Sequence, residues 1–417
     1  MPLKILVLST HDKLGAGLYA VEVHKLLLNA GYDSRMYVKE KTQELESIVP
    51  YKRTFLHKVV DRLYRWIAPP KTVKTYPDYF FLGHLRGSRF PTFQTIKNQV
   101  GFKPDVVLVF WISDFIANKV IEKFHRRFGS KIIFIPPDAA LFTGGCHYPN
   151  GCTNYNSGCA HCPAIEGNDE LSKTIFTEKK SIVRKTSALI LPGSSYLRNL
   201  AVSSRITSDQ RIAELFGMVN EDEYKPISKE EAKRRLDLES DKIYILLAAA
   251  FLNQKRKGMA VAIEALNIVW SRWPNFEVIL IGNNTKEFKT RYDGILHELG
   301  YVQTNKLNDL YNSAHFYLCP SLEDAGPIMV NQSMMAGTPV VGFDVGVLTD
   351  LVVNAETGYR YPIGDSGGLA DGIERMLKTD PLKLEEMKTQ CREVALQKYS
   401  KTATLNVLSG LLVKDSK

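Results

Sequence analysis

Long apolar runs are missing from this chain of 417 residues. Every stretch rich in Leu, Ile, Val or Phe is broken by a charge or a proline before it could cross a bilayer. No zinc-finger, RNP-like or helix-turn-helix pattern is present, which sets nucleic acid aside as a partner. No G-x-G-x-x-G follows the first apolar stretch, and no acidic residue ends the second, 34–38. A Rossmann oxidoreductase is therefore disfavoured. The opening residues lack a small-residue cleavage site and read as a first strand, not a signal peptide, which places the protein in the cytoplasm with reduced thiols. Cysteine is scarce: there are six, and four of them fall between 146 and 162.

What is present is an alternation of short apolar strands and helix-spaced patterns, repeated twice. The length exceeds one ordinary core, so two domains are expected. The net charge of +9 permits an anionic partner without choosing one. Strands are expected at 4–9, 34–38, 105–110, 132–135 and 188–191, with helical spacing at 20–30, 116–128 and 178–186. Gly15 and Gly17 follow the first strand, where small residues let backbone approach a ligand or simply make a tight turn. An irregular linker is placed at 195–225. A second series follows: a helix at 229–236, strands at 243–250, 277–281, 314–319 and 338–343, helices at 260–270 and 307–313, then helix from 364 to the end. Two such series mean two doubly wound α/β domains.

Three segments carry chemistry. The first is 320–344, read as strand end, loop, short helix and new strand. Pro327 suits the first helical position, and Gly337 then Pro339 suit the stop. A helix opening past Glu323, Asp324 and Gly326 offers backbone N–H groups to a phosphate. The second is the loop 143–163, whose cysteines are spaced C-x5-C-x6-C-x2-C. In a reducing compartment such a cluster more often binds metal than forms disulfides. Cys146, Cys152, Cys159 and Cys162 are thus expected to hold one structural zinc as a closed four-thiolate site, with His147 or His161 as substitutes and two disulfides as the alternative. Cys319 and Cys391 read as ordinary buried thiols. The third is 51–76, where Lys58, Arg62 and Arg65 alternate with Phe55, Leu63, Tyr64 and Trp66. It suits either a membrane interface or a solvated helix packed on its domain.

The ending Gly337-Thr338-Pro339-Val340-Val341 resembles the donor-binding segment of retaining GT-B glycosyltransferases of family four (glycosyl transferases group 1). The segment Thr143-Gly-Gly-Cys-His-Tyr with its following cysteines resembles one branch of that family, acting in capsule, exopolysaccharide and lipopolysaccharide synthesis. The resemblance covers nearly the whole chain. It implies a GT-B fold of two Rossmann-like domains facing each other across a cleft: an acceptor-side domain at 1–200, a nucleotide-sugar domain at 201–385, and helices at 386–417 packing back on the first.

It also implies roles. Lys257, with Arg256 or Lys255, neutralises the donor pyrophosphate. Asp324 holds the sugar hydroxyls and Gln332 the ribose. Gly15, Gly17, Gly326 and Pro327 contribute to donor binding, and Asp138 stands on the acceptor side. The activity implied is retaining transfer of a hexose-type sugar from a nucleotide diphosphate to a glycan or polyprenyl-linked acceptor, with no cofactor required for catalysis. Three positions depart from the family pattern: Pro137-Asp138 where His-Asp is usual, Phe216-Gly217-Met218 in place of Pro-Asn-Gly, and Gln332 in place of Glu. They motivate an alternative, a catalytically lapsed binding protein of the same fold.

Overall fold

The computed structural model describes residues 2–55, 57, 59–60, 74–82, 91–167 and 169–412. The chain divides into two compact units. Unit 1 comprises Met1–Gly193, Leu197–Leu215 and Leu405–Lys417, and unit 2 comprises Ser194–Tyr196 and Phe216–Thr404. The crossings therefore lie around 193–216 and at 404–405. Sequence had placed them at 200 and 385.

Unit 1 is built on six parallel strands: β1 (Lys4–Leu8), β2 (Asp33–Val38), β3 (Ile48–Pro50), β4 (Val106–Val109), β5 (Lys131–Phe134) and β6 (Leu189–Ile190), in the order β3-β2-β1-β4-β5-β6. Parallel strands covered on both faces must be apolar throughout, and β4 (VVLV) is buried at every residue. Helix α1 (Leu14–Asn29) returns the chain from β1 to β2 and carries a fully buried His24, held by Ser34 Oγ and Ser47 Oγ at 2.8 Å each. Burial lowers the His24 pKa to about 4. The core joins β1, β2 and β4 to Leu408 and Leu412 near the end of the chain.

Unit 2 repeats the plan. Its strands are β7 (Tyr244–Phe251), β8 (Glu277–Asn283), β9 (Ile295–Gly300), β10 (Phe316–Cys319), β11 (Val340–Phe343) and β12 (Gly358–Tyr361), in the order β12-β11-β10-β7-β8-β9, again parallel. Local signals set the helices. Ser228 caps one at Lys229–Arg235 by accepting from the Glu231 N–H, and Asp380 with Pro381 opens Pro381–Tyr399. That last helix packs within unit 2: Tyr399 donates to the Asn331 carbonyl at 3.1 Å, and the Arg392 guanidinium donates to the carbonyls of Tyr224, Met335 and Glu221. Residues 386–404 thus belong to unit 2, and only the final turns join unit 1.

In each sheet the strand order reverses at one place, between β1 and β4 in unit 1 and between β7 and β10 in unit 2. Loops leaving the carboxyl ends of these strands run in opposite directions and open a crevice there, where doubly wound proteins bind ligands. Among the described residues no helix is long and apolar enough to cross a membrane. Most of the basic segment at 51–76, including Lys58, Arg62 and Arg65, lies outside the described residues.

Candidate functional site

Two loops meet at the crevice of unit 2. The loop after β7 forms a short turn, Lys255–Lys257, closed by Gly258 in the left-handed conformation. A side chain at Gly258 would strike the Pro320 carbonyl oxygen at 1.8 Å, so only glycine lets this turn lie against the loop after β10. The Arg256 carbonyl then accepts from the N–H groups of Leu322 (2.7 Å) and Glu323 (3.3 Å), which fixes the two loops in register.

This docking brings together residues 67 positions apart. Lys257 Nζ lies 2.5 Å from Asp324 Oδ2, and Arg256 Nη1 lies 3.4 Å from the same oxygen. Asp324 is buried. Burial alone would raise its pKa, but Lys257, Arg256 and the Gly326 N–H outweigh it and hold the carboxyl below the usual carboxylate range. Asp324 is therefore a fixed negative charge between two cations, and the cations are exposed enough to meet a ligand as well. Beside it, burial and the Asp324 charge push the Cys319 thiol up to about 11, so that sulfur stays neutral.

The helix expected after Gly326 runs over Ile328–Met335, with Pro327 as its cap residue and not its first helical one. The Gly326 N–H, expected to face a phosphate, donates to Asp324 Oδ1 at 3.3 Å. Gln332 sits one turn into this helix, and its Oε1 accepts from the hydroxyl of buried Tyr311 at 2.9 Å. Tyr311 was not foreseen as a neighbour; its place in a helix ahead of β10 gave no local hint.

The remaining candidates lie in unit 1. Gly15 and Gly17 fall in the first turn of α1. Gly17 is there for packing, since a Cβ would meet the His11 carbonyl oxygen at 2.7 Å, whereas Gly15 has open space. Asp138 caps the short turn Ala139–Phe142 and pairs with His147, Nδ1 to Oδ2 at 2.7 Å. His147 is thus paired with Asp138 through Nδ1.

The cysteine loop packs around Phe81, Ala164, Ile165 and Ile175. None of the four is in a disulfide; Cys146, Cys159 and Cys162 are buried and Cys152 half-buried. Cys146 is hydrogen-bonded to Cys162, with Cys159 and Cys152 also near enough to raise its pKa. Backbone N–H groups point at two of the sulfurs, Gly144 at Cys159 (3.1 Å) and Asn154 at Cys152 (3.5 Å). Burial pushes Cys159 up to about 11. Among the described residues no three His, Cys, Asp or Glu side chains are already arranged as a metal-binding group.

Comparison with known proteins finds a family match within unit 2. Residues 242–379 match the family described as Glycosyl transferases group 1. The phosphatidyl-myo-inositol mannosyltransferase of Mycobacterium leprae is 30% identical over 137 residues, 31% of this chain and 36% of that protein. The amylovoran biosynthesis glycosyltransferase AmsK of Erwinia amylovora is 29% identical over 144 residues, 31% of this chain and 35% of that one. The chain thus matches about a third of the length of these relatives. The solved structure of HepE from Anabaena, in complex with UDP-glucose, is 14% identical with a TM-score of 0.64, over 98% of this chain and 99% of that one. The two parallel six-stranded sheets are those of the GT-B fold, and the stretch similar to Glycosyl transferases group 1, residues 242–379, holds Lys257, Asp324 and Gln332.

Proposed function

We propose that this protein transfers a hexose-type sugar, with retention, from a nucleotide diphosphate donor to a glycan or lipid-linked acceptor in surface-polysaccharide synthesis. The observation that carries this reading is the cluster Lys257–Asp324–Arg256 at the crevice of a group 1 domain. Breaking a glycosidic bond to a diphosphate builds negative charge on the departing phosphate. Two cations already fixed by a buried carboxylate stabilise that charge without reorganising. Asp324 both holds the cations and offers an acceptor to sugar hydroxyls. Gln332, fastened by Tyr311, meets the ribose.

The departing phosphate itself takes the acceptor proton. The acceptor is held by unit 1, with the segment at 51–76 touching the cytoplasmic face of the membrane. The cysteine loop carries a structural zinc when Cys146, Cys152, Cys159 and Cys162 lose their protons. Four soft thiolates with backbone N–H support suit zinc, and the ion would serve folding alone.

The test is a nucleotide-release assay on the purified chain with a panel of nucleotide sugars and short glycan acceptors. One donor should be consumed in the presence of acceptor, and the product anomer, read by NMR, should match that of the donor. Binding of a nucleotide sugar with neither transfer nor hydrolysis would favour the lapsed binding protein instead.

A further inference from the structure

The two strands at the reversal point of unit 2, β7 and β10, have Lys257, Arg256 and Asp324 in the loops at their carboxyl ends. A second group of titratable side chains lies at their amino ends. His315 directly precedes β10, and its N–H donates to the carbonyl of Tyr244, the first residue of β7, at 2.7 Å. The ring Nε2 lies 3.0 Å from the Met376 carbonyl. A carbonyl only accepts, so this contact assigns the ring proton to Nε2 and leaves Nδ1 a lone pair. Lys229, the first residue of the helix Lys229–Arg235, brings its Nζ to that nitrogen at 3.2 Å.

A half-buried lysine normally finds a carboxylate or several carbonyls. In unit 2, Lys257 has Asp324, Lys388 has Glu385 at 2.7 Å, and Lys233 donates to the carbonyls of Ser240 (2.7 Å) and Lys242 (2.6 Å). Lys229 is half-buried, yet among the described residues its hydrogen-bond partner is an imidazole and no carboxylate stands within ion-pairing distance. The charged groups facing it are Lys233 and Glu230 from its own helix, and Lys388 and Glu385 from the helix Pro381–Tyr399. The two lysines outweigh the two glutamates. Burial first, then Lys233 and Lys388, lowers the Lys229 pKa to about 8. Just above neutral pH, a sizeable fraction of this side chain is free amine.

We infer that Lys229 is a carbamylation site, whose amine adds dissolved carbon dioxide and carries it as a carbamate between Lys233, Lys388 and His315. The nitrogen lone pair forms the new N–C bond, one C=O π pair moves onto oxygen, and the nitrogen releases one proton to solvent. Nothing is oxidised or reduced. One hydrogen stays on the nitrogen and is still donated to His315 Nδ1. The same surroundings that disfavour the ammonium favour this product: Lys233 and Lys388 repel a positive charge on this side chain and attract a negative one. An acyl group would leave a neutral amide, which gains nothing from the two cations. Carbon dioxide therefore fits the site where an acyl donor does not. The inference stands apart from the glycosyl-transfer reading, since the donor residues lie at the opposite ends of the same two strands.

The experiment uses the full chain, reduced and equilibrated at pH 8 with carbon-13-labelled carbon dioxide. Triethyloxonium then traps any carbamate as its ethyl ester, and peptide mass spectrometry locates the label. It should concentrate on Lys229 and exceed that on every surface lysine. At constant dissolved carbon dioxide the yield should rise as pH climbs through about 8, because the amine is being freed. Lys229→Arg should abolish the matching carbamate resonance in carbon-13 NMR. Lys388→Gln, which removes an attracting cation, should lower the yield threefold or more, and Lys257→Ala should leave it unchanged. The first readout is on the wild-type chain, so a variant that misfolds cannot mask it. No label at Lys229, or label spread evenly over surface lysines, overturns the inference. So does a yield at Lys229 that a folded Lys388→Gln leaves undiminished, since the cations would then have no part in holding the carbamate.

Discussion

The two crevices of this chain share a strand order and differ in everything placed on it. In unit 2 the loops at the reversal point bring two cations onto one buried carboxylate. In unit 1 the equivalent loops bring the Trp111 indole against the His11 imidazole, with the His147–Asp138 pair beside the indole. The sheet supplies a place, and loop residues decide what the place can do. Fixed charge suits a departing diphosphate.

Removing charge from unit 2 should produce the largest effect. Lys257→Ala takes away one of the two cations that meet the growing phosphate charge. The barrier should rise by about 2–4 kcal/mol, with turnover falling more than donor affinity. Asp324→Asn keeps shape, loses the anchor for both cations, and should fall similarly. Steady-state kinetics against a saturating donor decides it. Transfer at full rate in both variants would mean the chemistry is elsewhere, and the comparison between crevices would lose its basis.

A second effect should be shared evenly, and it tests whether the units are alike in their cores. In each a histidine is lowered to about 4 by burial: the fully buried His24 in unit 1 and the half-buried His315 in unit 2, the latter with Lys229 adding to the effect. Unfolded, such a ring takes a proton near pH 6.5; folded, it stays neutral down to about 4. The unfolded state therefore binds more protons in that window. Stability is full above about 6.5 and declines as pH falls toward 4, by roughly 2–3 kcal/mol for each histidine. Urea denaturation at pH 7.5 and 4.5 measures it. His24→Gln and His315→Gln should each flatten the decline in their own unit, and a slope unchanged in both would refute the assignment.

The cysteine loop offers a sharper contrast, because unit 2 has nothing like it. If zinc binds the four thiolates, protein purified under reducing conditions should carry one equivalent, and chelation should lower the thermal midpoint by several degrees, on the order of 1–2 kcal/mol. The change should be confined to unit 1, with nucleotide-sugar binding unaffected. Substoichiometric metal together with titratable thiols would end the zinc proposal. Disulfides would show as thiols lost without reductant.

Much of this fold was legible because parallel strands declare themselves. Runs such as 5–8, 106–109 and 245–248 are apolar at successive positions, and the interior strands fall where those runs do. The short edge strands Ile48–Pro50 and Gly358–Tyr361 were missed, since half-covered edges need no such run. In the candidate site, Lys257, Arg256, Asp324 and Gln332 were named from the motifs around them. Their pairing was not found, because a contact between residues 67 apart depends on Gly258 lying against Pro320, which no local pattern reports. His147 was read with the cysteines it adjoins. Its Nδ1 pairs with Asp138, a contact between residues nine apart that no local pattern reports.

The smallest expected effect lies at Gln332, where the two readings of unit 2 part. Its Oε1 accepts from Tyr311 at 2.9 Å, a bond that a carboxylate would also accept and strengthen. Gln332→Glu should therefore fold normally. If the side chain serves a ribose, the added charge assists hydrogen bonds from its hydroxyls, and donor affinity should improve by no more than about 1 kcal/mol, or fivefold. Tyr311→Phe should erase part of that gain, because an unfastened glutamate costs rotamer entropy to place. A double-mutant cycle on donor affinity, read by calorimetry, would show coupling between 311 and 332 of a few tenths of a kcal/mol or more. No coupling, with affinity unchanged in Gln332→Glu, would detach this residue from the donor and leave Lys257, Arg256 and Asp324 to hold it alone.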